Sequence, residues 1–175
     1  MAEKISLAAL NTVSADEFVK AVGPVFEHSP WIAELTFAKK PFASLDNLHA
    51  QLCATVKNSG AAKQLALIRA HPDLVGRLAL TGQLTKESTG EQAGAGLDKL
   101  SPAEIILFQN HNAAYQEKFG FPFVICARLN KKSAILTGFA QRLKNSREQE
   151  IQAALAEIFK IAELRLRDLI SPNAS

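Results

Sequence analysis

The 175-residue sequence lacks the features of several specialised protein classes. Its two cysteines, Cys53 and Cys126, lie in apolar surroundings without CxxC spacing, which argues against a disulfide framework and a cysteine-rich metal site. No apolar run approaches about 18 residues, and the N-terminus lacks the apolar core of a secretory signal. The C-terminal residues Asn173-Ala174-Ser175 are not an SKL-type peroxisomal address. These absences predict a cytoplasmic protein that neither enters a membrane nor carries disulfides.

The sequence also has little excess of either charge. Lys and Arg number 20 against 17 for Asp and Glu, and the basic residues form no long run. A nucleic-acid partner is therefore not predicted, because such proteins concentrate positive charge on one face. Ala and Leu are abundant, with 28 and 22 copies, and both are strong helix formers. We expect one all-α domain over residues 1–175, built as a helical bundle.

Capping patterns mark where the helices begin and end. Serine or serine–proline signals precede apolar residues at helical spacing, and a glycine or proline follows several of these stretches. The predicted starts lie at Ser14, Ser29-Pro30, Ser44, Ser101-Pro102 and Ser146, and the predicted stops at Gly60, His71, Gly120 and Pro172.

Two segments depart from this helical pattern. Residues 71–100 contain five of the nine glycines, and only short helical stretches are expected there. Residues 119–128 resemble a strand, but no second strand is predicted to pair with them, so we interpret them as an extended buried segment. Irregular backbone in a helical protein is where a site is most often built. The residues that carry chemistry are therefore expected in these two segments.

Three groups of residues in these segments are candidates. His71-Pro72 places a histidine at a helix C-terminus, either as a proton-transfer group or as a cap for the last carbonyls. Ser88 and Glu91 form a capping-box pattern, and with Gln92 they stand equally well for a helix start or a ligand site. Arg128 ends the extended segment, where it could bind a carboxylate or pair with a structural acid.

The backbone of that extended segment is a candidate in its own right. Phe123, Val124 and Ile125 carry N–H and C=O groups without ladder partners, and a planar ligand with amide-like edges could pair with them. Metal and nucleotide motifs such as HExxH and the P-loop are absent from the sequence. We expect a site without metal or cofactor.

Taken together, these segments resemble one family. HPDLVGRLAL, ESTGEQAGAGLDKLS and NHNAAYQEKFGFPFVICAR, supported by FEHSPWIAE, LHAQL, RLKN and IAELRLRDLI, are similar to the OHCU decarboxylases of urate degradation. The resemblance runs from about residue 8 to residue 170. It implies an all-helical enzyme without a cofactor, commonly a homodimer. Its substrate is 2-oxo-4-hydroxy-4-carboxy-5-ureidoimidazoline (OHCU), and its products are (S)-allantoin and carbon dioxide.

The resemblance also implies roles for individual residues. His71 matches the catalytic histidine and Glu91 the acidic residue beside it. Ser88, Gln92 and Arg128 match positions that bind substrate in the family. Pro72 and the backbone of residues 123–125 match elements that shape the family's substrate pocket. Two other interpretations remain open from sequence: a relative acting on another ureido or imidazoline acid, and a helical interaction module. The module leaves the His, Glu, Gln and Arg of the irregular segments unexplained.

Overall fold

The structure is a computed structural model that describes residues 4–172, with the backbone alone at residues 77 and 78. It confirms the all-α fold. The helices are α1 (Leu7–Leu10), α2 (Ala15–Val22), α3 (Trp31–Phe37), α4 (Leu45–Lys57), α5 (Ala61–Ala70), α6 (Arg77–Leu80), α7 (Lys86–Gly94), α8 (Pro102–Phe119), α9 (Lys132–Arg142) and α10 (Arg147–Leu169), with short 3₁₀ turns at Gly23–Val25 and Ala127–Leu129. Within residues 4–172, no helix has both the length and the apolar character needed to cross a membrane.

The chain divides into two compact units. We call Met1–Leu67 with Phe159–Ser175 the terminal unit, and Ile68–Ile158 the central unit. Helices α5 and α10 each continue from one unit into the other. The expectation of one domain over the whole chain stays a prediction.

The terminal unit joins the two ends of the chain. Strand β1 (Ile5–Ser6) pairs in parallel with β2 (Ile170–Ser171), with Ile5 opposite Ile170. Sequence analysis did not predict this pair, because two-residue strands give no periodic signal. The core of the terminal unit is aliphatic and aromatic, and includes the fully buried Leu10, Phe18, Ile32, Leu48, Leu52 and Val56.

A buried ion pair lies in the same unit. Arg165 of α10 donates from Nη1 to Oε2 of Glu27 at 2.8 Å, and both side chains are nearly inaccessible to solvent. The adjacent Ser29 does not cap α3 as predicted, because its hydroxyl donates to the carbonyl of Glu27 and Pro30 takes the N-cap position. Leu35 of α3 is exposed.

Other helix ends follow their local signals. Ser14 and Ser101 form complete capping boxes with Glu17 and Glu104. Gly120 ends α8 in the left-handed conformation, at φ 76°. Helix α4 begins after Ser44 as predicted but ends at Lys57, three positions before the predicted glycine.

Aromatic rings form the core of the central unit. Tyr115 and Phe119 of α8 contact Phe121 and Phe123 of the extended segment, and the Phe123 ring stacks on Phe139 of α9 at 3.9 Å between centroids. Residues 122–126 form neither helix nor strand, as expected, and the Ala127–Leu129 turn follows them. This packing anchors one face of the extended segment in the core.

Candidate active site

His71 lies directly after the last residue of α5. Its backbone N–H donates to the carbonyl of Ile68 at 3.2 Å, which closes the helix at the predicted place. The residue is 7% exposed, and Pro72 follows it. A histidine held this way has little conformational freedom to lose when it binds a ligand.

The loop after His71 has a strained backbone. Val75 adopts φ 54°, a left-handed conformation that is unusual for a β-branched residue. Two buried side-chain amides hold the loop: Gln92 Oε1 accepts from the Val75 N–H at 3.0 Å, and Asn112 Nδ2 donates to the Leu74 carbonyl at 2.7 Å. Gly76 closes the turn, where a Cβ would lie 2.7 Å from the Cβ of Asp73. Such strain persists only where surrounding contacts enforce it.

Helix α7 carries the second group of candidates. Its N-cap is Thr85, whose side chain accepts from the Ser88 N–H, so the helix begins one turn before Ser88 and the alternative of a helix start at Ser88 is not what the structure shows. Ser88, Glu91 and Gln92 therefore have the i, i+3, i+4 spacing that places them on one face of the helix. Ser88 and Gln92 are buried, and Glu91 is half-buried.

The extended segment has alternating partners along its backbone. The Val124 carbonyl accepts from Nη1 of Arg142 at 2.6 Å, and the Cys126 N–H donates to Glu157 at 2.8 Å. By contrast, the N–H and C=O groups of Phe123 and Ile125 have no hydrogen-bond partner among residues 4–172. In extended chain, neighbouring residues direct these groups to opposite sides. One edge of the segment is thus bound to the protein, and the other edge carries the unpaired groups of Phe123 and Ile125.

These three segments come together in the central unit. The Gln92–Val75 bond links α7 to the loop after His71, and α7 also packs against the Ala127–Leu129 turn. Burial raises the pKa of the Cys126 thiol, which immediately precedes that turn, and the charges of Glu157 and Glu91 add to that rise. Arg128 is exposed on that turn.

A cavity of about 200 Å³ opens beside His71. It adds residues that sequence analysis missed, because nothing in a linear pattern marks them. Asp73 is half-buried, and burial raises the pKa of its carboxyl. Ser88, Glu91, Gln92 and Arg128 do not line this cavity. Its lining residues are Arg69, His71, Pro72, Asp73, Gly76, Gln116 and Pro122.

Comparison with known proteins places the chain in one family. The family model described as OHCU decarboxylase matches residues 11–167. Proteins named 2-oxo-4-hydroxy-4-carboxy-5-ureidoimidazoline decarboxylase are similar to the chain along almost all of its length. The one from Halalkalicoccus jeotgali is 42% identical over 170 residues, covering 97% of this chain and 94% of that protein. The one from Amia calva is 42% identical over 171 residues, covering 98% of each.

A solved structure shares the fold. The crystal structure of (S)-allantoin synthase superposes with a TM-score of 0.75 at 28% sequence identity. The match covers 95% of this chain and 54% of that one.

Proposed function

The chain belongs to the OHCU decarboxylase family, and we propose that it converts OHCU to (S)-allantoin and carbon dioxide in urate degradation. It is accordingly a carboxy-lyase. The observation that carries the assignment to a site is the position of α7, which bears Glu91: it is hydrogen-bonded to the loop after His71 and packs against the turn that ends the extended segment.

The reaction needs an acceptor for the electrons that carbon dioxide leaves behind. The bond between ring carbon 4 and the carboxylate breaks, and its electron pair forms a double bond to carbon 5. The π-electron pair of the C=N bond at carbon 5 then moves onto the nitrogen, which takes up a proton. The resulting enol takes a proton at carbon 5 and loses its hydroxyl proton, giving the ketone of allantoin. The substrate ring itself accepts the electrons, so the proposed reaction needs no cofactor.

His71 is the proposed proton-transfer group. Imidazole titrates near neutral pH, and an acid or base positioned on one face would deliver the proton to carbon 5 with a single handedness. Glu91 is proposed to orient the imidazole and to stabilise its charged form. A pair of this kind contributes about 10²–10⁴-fold in rate.

Substrate binding is assigned in this proposal to other residues of the same segments. Arg128 is proposed to bind the carboxylate through its planar fork, and Ser88 and Gln92 to bind polar edges of the substrate. The unpaired backbone groups of Phe123 and Ile125, on either side of Val124, support recognition of a planar ureido or ring amide. Pro72 shapes the wall beside His71.

Optical activity tests the assignment. The unstable substrate is generated in place with urate oxidase and hydroxyisourate hydrolase, this protein is added, and circular dichroism follows the appearance of allantoin. We expect rapid formation of one enantiomer. Allantoin that appears no faster than without the protein, and racemic, would contradict the proposed function.

We also propose a cytoplasmic homodimer. The two free, buried cysteines fit a reducing compartment. Helix α8 presents Ile106 and Leu107 at 58% and 41% exposure, and such side chains are suited to burial against a second copy. Sedimentation of the protein and of an Ile106→Glu variant tests this: we expect a dimer that the variant weakens, and a wild-type monomer would contradict it.

A further inference from the structure

A fully buried carboxylate lies behind the extended segment. Glu150 of α10 has no solvent exposure, and three side chains donate to it. They are the Tyr115 hydroxyl, Asn145 Nδ2 at 2.7 Å and the guanidinium of Arg142, with Nη2 at 2.9 Å and Nε at 3.0 Å. Burial raises the pKa of Tyr115, and its hydrogen bond to Glu150 adds to the rise, so the phenol stays a donor. The charge of Glu150 is thus matched by one cation and two neutral donors.

Arg142 connects this carboxylate to the extended segment. Its Nη1 donates to the Val124 carbonyl at 2.6 Å, while Nε and Nη2 bind Glu150. The guanidinium also lies over the Phe123 ring, with Cζ 4.4 Å from the ring centroid. All three guanidinium nitrogens are therefore engaged, and a lysine ammonium could not make both connections at once.

This connection fixes the orientation of the backbone that faces the ligand. Binding of the Val124 carbonyl on one edge, together with the Cys126 N–H bond to Glu157, turns the groups of Phe123 and Ile125 to the opposite edge. Rotation of the peptide between Val124 and Ile125 would turn the unpaired Ile125 N–H, which lies opposite the Val124 carbonyl in the same peptide, away from that edge. A network of buried, charge-assisted hydrogen bonds is well suited to resist such rotation.

We propose that Arg142, held by Glu150, Tyr115 and Asn145, is a positioning residue that presents the backbone of Phe123 and Ile125 to the substrate. The inference rests on the proposed function, since it assigns that backbone to the substrate site. It also gives a role to Arg142 and Asn145 of the RLKN segment, which sequence analysis noted without assigning a task. Arg142 acts through the segment, not by contact with the reacting atoms.

Two variants and a matched control test the proposal. Arg142→Lys keeps the positive charge but loses the fork, and Tyr115→Phe removes one donor to Glu150 while preserving shape. The control is Arg147→Lys. Arg147 also donates to a backbone carbonyl, that of Phe119 at 3.2 Å, and lies over the Phe121 ring, but it does not bind Glu150. Melting temperature, kcat, KM and hydrogen exchange of the amides from Val124 to Cys126 are measured for each protein.

We expect Arg142→Lys to lower kcat/KM by about tenfold or more, since displacements on the order of 1 Å cost up to about 10²-fold. Tyr115→Phe should give a smaller loss in the same direction. Both should speed exchange at Cys126, and Arg147→Lys should change neither quantity. If Arg142→Lys fails to fold, Tyr115→Phe still decides the matter.

Lower melting temperatures with unchanged kinetics and unchanged exchange would overturn the proposal and leave the network a stabilising one. Failure of the proposed function has a different signature. In that case the wild type makes no (S)-allantoin, while the exchange comparison still shows whether Arg142 holds the segment.

Discussion

The side-chain oxygen of Gln92 accepts a hydrogen bond from the backbone N–H of Val75 at 3.0 Å. The family resemblance implies that Gln92 binds substrate, and this bond gives the residue a structural task, because it holds a strained residue four positions after His71. The side-chain Nε2 of Gln92 makes no hydrogen bond to any residue from 4 to 172.

Comparison of Gln92→Leu with Asn112→Leu separates these two tasks. Both variants release the loop, since Asn112 holds the Leu74 carbonyl and Gln92 the Val75 N–H. Each leaves a buried backbone group unpaired, so we expect a loss of about 1–3 kcal/mol in the free energy of unfolding. If Gln92 also binds substrate, its variant should raise KM more than the Asn112 variant does. Equal KM values would restrict Gln92 to the loop.

Replacement of His71 tests the proton-transfer step. We expect His71→Ala to lower kcat by about 10²–10⁴-fold without loss of the fold, because the reaction then lacks its positioned acid or base. His28→Asn is the control, since His28 is exposed and its left-handed φ of 45° suits asparagine. Stopped-flow measurement of allantoin formation gives both rates. A folded His71→Ala enzyme with full activity would remove His71 from the mechanism.

Arg128→Lys tests carboxylate recognition. Lysine retains the charge but cannot bind a carboxylate through two parallel hydrogen bonds, so we expect KM to rise by roughly tenfold, equivalent to about 1.4 kcal/mol of binding. Arg167→Lys, at an exposed arginine paired with Glu163 and Asp46, should leave KM unchanged. Wild-type KM in the Arg128 variant would assign the residue to structure alone.

Because burial raises the pKa of the Asp73 carboxyl, we expect replacement of Asp73 to change the stability in a pH-dependent way. Burial raises its folded pKa above the usual 3.8, so the folded state disfavours the carboxylate. Below the unfolded pKa both states are protonated and no penalty exists. As the pH rises through the folded pKa, the penalty grows to its full size. Asp73→Asn should therefore increase the free energy of unfolding at pH 7 but not at pH 3.

Urea denaturation at the two pH values measures this difference. Asp98→Asn, which alters an exposed carboxylate in the same unit, is the control and should show no such pH dependence. An Asp73 variant less stable than the wild type at pH 7 would mean that its hydrogen bond to Gln116 outweighs burial.

Among variants of the terminal unit, we expect the largest loss of stability when the buried Glu27–Arg165 ion pair is broken. Arg165→Met would leave a buried carboxylate without its cation, and we expect a loss of about 3–5 kcal/mol. Arg167→Met breaks only exposed ion pairs and should change the melting temperature little. Thermal unfolding compares them, and similar melting temperatures for the two variants would contradict this interpretation.

Helix ends were predictable where the signal is local. Ser14 with Glu17 and Ser101 with Glu104 satisfy backbone N–H groups within one turn, so a four-residue pattern suffices. The same pattern is present at Ser88, where it stood for either a helix start or a site, and the helix begins one turn earlier because Thr85 caps it. The prediction failed at Ser29, since its hydroxyl found a nearer carbonyl at Glu27.

The sequence by itself determined the helical class, the helix end that holds His71, and the two irregular segments, because composition and short-range hydrogen bonding control these features. The tertiary structure alone decided that Gln92 reaches Val75, that Asn112 reaches Leu74, and that Arg142 turns the Val124 carbonyl away from the free edge of the extended segment. Those bonds join residues 17 to 38 positions apart. Their formation depends on how whole helices pack, which no pattern within a few residues contains.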